Sequence, residues 1–206
     1  MPLALTADTI PSAFSGLGAG AQPAALSLMS VGALLELSMG LAAWKEYGPD
    51  RWALRCAPSS GNLHPTETYV LARGIDGLAD GVYHYAPRAH EMEQRGLVVA
   101  AAGQPGLWVG FSSVHWREAW KYGERGFRYC QLDLGHALGA LRYAAAALDI
   151  ALRDVPQIDM LEELHVVTFN DTYWTGWPTA ANPYVAPYTP WEAFNIVIHT
   201  LKPAGR

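Results

Sequence analysis

From Ser27 onward the apolar positions recur at helical spacing. Leu28, Val31, Leu34, Leu35, Leu41 and Ala42 share one face, and Ser27 can cap the first turn. This pattern predicts a helix that ends near Gly48-Pro49. After a loop at 55–65, the β-branched and aromatic run from Thr66 to Ala72 predicts a strand. Gly81 to Ala86 and Glu91 to Val98 predict two more, joined as a hairpin across Pro87-Arg88-Ala89-His90, and Leu107 to Ser112 predicts another. The strongest signal follows: Phe127, Cys130, Leu134, Leu138, Leu141, Ala145 and Leu148 step by threes and fours, which predicts a long core helix. Gly135 and Gly139, four apart on it, allow a backbone or flat ligand to come close. A strand at Leu164 to Phe169 and a short helix at Trp191 to Thr200 complete the reading. Strands interleaved with helices around an antiparallel hairpin predict an α+β fold.

At 206 residues the chain is expected to form one core domain, over 26–170, with an Ala-, Gly- and Pro-rich loose arm at 1–25 and a Pro- and aromatic-rich extension at 171–206. Fourteen Lys and Arg against nineteen Asp and Glu leave a net charge of -5, the wrong sign for a nucleic-acid binder. Cys56 and Cys130 form no C-x-x-C pair and are expected to be free thiols in a reducing compartment. The apolar stretch within the first 43 residues lacks a positive n-region and is interrupted by Asp8, Gln22 and Glu36. The expectation is therefore a cytoplasmic protein without a membrane span. Neither H-x-x-x-H nor H-E-x-x-H occurs, so no metal site is expected. No G-x-G-x-x-G or Walker loop is present, so a nicotinamide would bind only transiently.

The chemistry-bearing segment is Arg55-Cys56-Ala57-Pro58-Ser59-Ser60-Gly61-Asn62-Leu63-His64-Pro65, between a helix and a strand. Two hydroxyls, a glycine and an amide can hold a phosphate, a polyol or a heterocycle edge. The same residues also make ordinary turns. Arg55 could face a phosphate or ring, or pair with Glu67. Trp116, Lys121 and Tyr122 could simply cap a helix, with Glu118 pairing Lys121 at i,i+3. Tyr129, Asp133 and His136 share one side of the long helix, as a proton-steering network or as a structural hydrogen-bond cluster. Glu124 and Arg128 have the spacing of a helix ion pair.

PSSGNLHPTETYV resembles the P-S-S-x-N-x-x-P loop of the FMN-dependent nitroreductase superfamily. GVYHYAPRAHEME and WKYGERGFRYCQLDLGHALGALRYAAAAL are similar to the hairpin and central segment of its azoline dehydrogenase branch, which oxidises thiazolines and oxazolines in peptide biosynthesis. The resemblance implies an α-β-α sandwich with a mostly antiparallel sheet and a flavin held at a homodimer interface. It places Pro58, Ser59, Ser60 and Asn62 against FMN, with Arg55 as a candidate cation, and matches Lys121-Tyr122 to the pair that removes the substrate proton. It implies two-electron oxidoreduction of a small molecule or peptide azoline, with NAD(P)H as a transient donor. The family's Arg-Ser-x-Arg/Lys start and C-terminal basic pair, both phosphate ligands, are not visible here. Longer relatives carry two nitroreductase-like halves, and this chain resembles the N-terminal one. A flavin-free scaffold or peptide-binding subunit of a modification complex is the alternative.

Overall fold

The computed structural model describes residues 1–10, 15, 17, 25–98, 105–155, 166–168 and 197–201. Helix α1 (Leu28–Met39) leads into a ribbon of β1 (Leu41–Tyr47) and β2 (Asp50–Arg55). Strands β3 (Thr66–Arg73), β4 (Gly81–Ala86), β5 (Glu91–Val98) and β6 (Gly106–Ser113) precede α2 (Trp116–Tyr122) and α3 (Arg125–Ala147). Three short strands follow, β7 (Leu152–Val155), β8 (Val166–Thr168) and β9 (Val197–Leu201). Seven strands form one antiparallel sheet in the order β7-β9-β6-β3-β4-β5-β8.

Register explains the core. Val70 lies opposite Val109 and Tyr83, and Thr68 opposite Phe111 and Tyr85, so these side chains share one sheet face. That face is covered by Val31, Leu34 and Leu35 of α1 and by Leu134, Ala137, Leu141 and Ala145 of α3. Leu34, Leu35, Leu107 and Leu141 are fully buried, each worth about 1.5–3 kcal/mol relative to exposure. The opposite face carries Glu67, Tyr69, His84 and Glu93, where strand alternation turns polar.

Three expectations are corrected. The first helix stops at Met39, well before Gly48-Pro49, because a Cβ on Gly40 would run into the carbonyl oxygen of Glu36. Residues 41–47 are instead a strand, and Gly48-Pro49 is the two-residue turn of the ribbon, with Gly48 at φ +57°. Second, residues 197–200 are strand, not helix: Val197, Ile198 and Thr200 are β-branched, and β9 fills the gap between β6 and β7. The rest of the expected helix, 191–196, lies outside the described residues. Third, the first ten residues are tied down rather than loose. Met1 and Met92 exchange backbone hydrogen bonds of 2.9 Å, Leu3 N–H donates to His90, and the Glu36 carboxylate accepts from Thr6 and Ala7 N–H.

The other predicted elements are observed, with the β4–β5 hairpin turning at 87–90 and α3 spanning the predicted stripe. Ser27 and Ser30 form a capping box, each hydroxyl accepting the other's N–H. No helix among the described residues is long and apolar enough to cross a membrane.

Candidate functional site

The segment linking β2 to β3 winds into a single 3-10 turn at Ser60–Asn62, and three residues in it adopt left-handed backbone: Gly61 (φ +62°), Asn62 (φ +61°) and His64 (φ +49°). Such conformations cost on the order of 1–3 kcal/mol for a side-chain-bearing residue and persist only where surroundings over-determine them. Here the over-determination comes from Asp133, a buried carboxylate on α3. It accepts the Ser59 hydroxyl at 2.6 Å, the Ser60 hydroxyl at 2.9 Å and the Ser60 N–H at 3.0 Å. The Ser59 oxygen in turn accepts His64 N–H at 2.8 Å. The Asn62 amide donates to the Ala53 carbonyl at 2.9 Å, which leaves its oxygen as acceptor for His64 Nε2 at 2.8 Å. Burial, then the neighbouring Arg55 and Arg117 charges, pushes the His64 imidazole down to about 4, so it is neutral at pH 7 and donates from Nε2. Every polar side chain from Ser59 to Asn62 is thus engaged within the chain.

Gly61 marks the functional side of this loop. It is exposed, and a Cβ built on it would lie 2.8 Å from Lys121 Nζ and closer still to Tyr122 Oη. The end of α2 therefore delivers its amine and phenol directly over the Gly61 backbone, where no larger residue fits. Tyr122 is steadied by Tyr129 of α3, their rings 4.5 Å apart and tilted by 59°. Gly123, at φ +58°, and Gly126, which lies against the backbone of Glu118 and Ala119, turn the chain sharply from α2 into α3.

Below the loop lies a charged relay across the sheet. Arg117 pairs with Glu67 and donates to the His64 carbonyl at 2.8 Å. Glu67 also accepts from His84 Nε2 at 2.7 Å, and the opposite ring nitrogen faces Glu93 at 3.1 Å. Burial opposes charge on His84, but the bonds to Glu67 and Glu93 outweigh it and raise the pKa. Glu67 is likewise held low, its burial outweighed by His84 and Arg117.

The structure brings together Pro58, Ser59, Ser60 and Asn62 with Lys121 and Tyr122, two groups some sixty residues apart in sequence. Pro58 is exposed at the mouth of the loop. Arg55 is half-buried; Glu67 is its nearest opposite charge, but Arg117 and His84 hold that carboxylate, and Arg55 forms no ion pair among the described residues. Of the helix trio, Asp133 is buried in the loop contact while His136 points to solvent. Glu124 and Arg128 form no ion pair, and neither do Glu118 and Lys121. Cys56 and Cys130 are free thiols. Among the described residues no group of three or more His, Cys, Asp and Glu could hold a metal. Sequence reasoning missed Arg117 as the clamp on Glu67, Asp133 as the loop's anchor, and Glu118, which is fully buried. For Asp133 a signal existed: an acid inside an apolar helical stripe must find donors.

No family model matches the chain. It is 31% identical over 130 residues to "Putative nitroreductase MJ1384" of Methanocaldococcus jannaschii, an alignment covering 57% of this chain and 65% of the relative. It is 31% identical over 102 residues to the trifolitoxin-processing protein TfxB of Rhizobium leguminosarum bv. trifolii, covering 40% of this chain and 26% of that one. The chain therefore spans just under two thirds of one curated relative and about a quarter of the other. A "putative nitroreductase" crystal structure from Anabaena variabilis superposes with a TM-score of 0.55 at 29% identity, over 62% of this chain and 29% of that one. The Escherichia coli microcin synthetase McbBCD complex with truncated pro-MccB17 bound shares the fold, with a TM-score of 0.55 at 18% identity over 86% of this chain and 63% of that one. With the antiparallel sheet, the long α3 and the loop geometry, these likenesses make the chain a member of the nitroreductase-like superfamily, on its azoline-related side.

Proposed function

We propose that the chain is an FMN-dependent oxidoreductase of nitroreductase type, acting by two-electron transfer on a small molecule or peptide azoline. The observation that carries this reading is the convergence of Lys121 Nζ and Tyr122 Oη on Gly61, at the head of the Pro58–Asn62 loop. Oxidising a C–N bond to C=N needs a base on one side of the substrate and a hydride acceptor on the other. FMN, when bound, supplies the acceptor. The residues fit a flat cofactor: Gly61 presents bare backbone, the loop is fixed before any ligand arrives, and Arg55 is a cation without a committed carboxylate. Lys121 and Tyr122 then take the substrate proton, and Arg55 with the loop backbone faces the anionic part of the cofactor. A nicotinamide would serve as a transient electron donor.

The exposed stripe of α3 supports a homodimer. Leu132, Gly135, His136, Gly139 and Tyr143 lie opposite the helix's buried face, and a Cβ on either glycine would meet nothing within 4 Å. A second nitroreductase-like half could occupy the same stripe. The scaffold reading is favoured by one observation: Asp133 takes the Ser59 and Ser60 donors that a flavin would use. The peptide bound by the McbBCD complex gives that reading its partner class.

A visible spectrum recorded after adding FMN and removing the excess by gel filtration separates the two. Retained flavin supports the oxidoreductase, whereas a colourless chain that binds peptide supports the scaffold. In the flavin form, Asn62→Ala weakens FMN retention by freeing the loop from Ala53. Lys121→Ala leaves retention unchanged and lowers turnover by about a hundredfold. Unchanged FMN affinity in the first, or unchanged turnover in the second, removes that residue's role.

A further inference from the structure

Glu118 is the one carboxyl in the neighbourhood that neither the loop nor the sheet relay employs. It lies in the first turn of α2, has no solvent exposure, and neither of its oxygens has a hydrogen-bond partner. An ionised carboxylate left in that state would be severely penalised, so the position selects a carboxyl that carries a proton. Lys121 is one helical turn further along α2, its amine on a long flexible stem. The groups facing Glu118 are few: Asp133 and Cys130 from α3, and Lys121 on its own helix. Burial, and then the Asp133 charge, pushes the Glu118 carboxyl up to about 7, with Lys121 acting in the opposite direction. The same surroundings push the Cys130 thiol up to about 12, which removes it from proton exchange near neutrality. Only Glu118 and Lys121 can then trade a proton on this side of the loop.

Resting on the oxidoreductase reading for its purpose but not for its test, we propose that Glu118 is the proton store behind Lys121. When Lys121 has gained a proton, an N–H bond of its ammonium breaks as an O–H bond forms on ionised Glu118. Both groups end neutral, and no electrons change hands. The free amine is thereby restored at Gly61, and Glu118 acts as a positioning residue through Lys121. Asp133 keeps the store near neutrality while anchoring the loop, so loop geometry and proton supply share one carboxylate.

The chain holds three lysines, Lys45, Lys121 and Lys202, which makes the test direct. Reductive methylation with 13C-formaldehyde, with resonances assigned through Lys→Arg variants, follows each amine by NMR against pH. The Lys121 signal is expected to show a step between about pH 6 and 8 that reports Glu118. Glu118→Gln abolishes the step, and Glu118→Asp retains one. Superimposable Lys121 curves in the native chain and Glu118→Gln overturn the proposal. Should Glu118→Gln fail to fold by near-ultraviolet circular dichroism, the side-chain carbonyl of 13C-labelled Glu118 in the native chain decides: ionisation below about pH 5 overturns it. With FMN and a thiazoline peptide, Glu118→Gln is expected to lose about a hundredfold in turnover together with the pH limb near neutrality, and Glu118→Asp to restore the limb. A step in Lys121 without turnover keeps the Glu118 coupling and removes the oxidoreductase reading instead.

Discussion

Asp133 performs more structural work than any other side chain near the loop. Replacing it with Ala strands two buried hydroxyls and the Ser60 N–H, each previously satisfied by a charged acceptor. The expected loss is on the order of 3 kcal/mol, read from urea denaturation midpoints, and protease susceptibility should rise at 59–64. Asp133→Asn should recover part of it, because one amide oxygen can still accept. The loop's residue types were legible from sequence, and so was the Lys-Tyr pair. What sequence could not supply is direction. Ser59, Ser60 and Asn62 could face outward to a ligand or inward to their own chain, and that choice depends on an acid more than seventy residues away. Arg55 was ambiguous for a similar reason, since its expected partner Glu67 is taken by Arg117 and His84.

Among elements, periodicity located α3 and the four central strands because each buries a full face. It failed at α1, where Leu41 and Ala42 continue the helical stripe by coincidence while Gly40 has already ended the helix. It failed again at β9, where Ile196 to Thr200 is β-branched but short enough to mimic a helix face. The outward side of α3 supports a prediction at this scale. Gly135 and Gly139 leave a shallow furrow beside the exposed Leu132 and Tyr143. If a second copy docks there, Gly135→Leu with Gly139→Leu should keep the thermal midpoint of α3 or raise it, since glycine costs a helix about 1 kcal/mol relative to Ala. The same pair should convert a dimer to a monomer in sedimentation equilibrium. A doubly substituted chain that still sediments as a dimer excludes the furrow as the contact.

For the molecule as a whole, the Glu67–His84–Glu93 cluster joins β3, β4 and β5, and through Arg117 it reaches α2 and the loop. His84 has a raised pKa, so its contribution is complete below about 6.5 and is lost as pH rises through the folded value. Glu67 and Glu93 have lowered values, so theirs is present above about 4.5 and is lost as pH falls through the folded values. His64, lowered to about 4, adds a loss on acidification from about 6.5 downward. Stability measured by urea titration should therefore fall on both sides of mildly acidic to neutral pH. His84→Gln should remove the alkaline part, so that its deficit against the native chain shrinks from pH 6 to pH 9. A constant deficit would place the charge on His84 outside the stability balance. The contact between the loop and Asp133 also sets an order of events. Ser59 and Asp133 are 74 residues apart, and closing so long a segment costs entropy that only a packed α3 offsets. A nascent chain that has emerged through β6 can pair its central strands but has no acid to seat the loop. The site is thus a late product of folding, and its appearance reports that the whole domain has assembled.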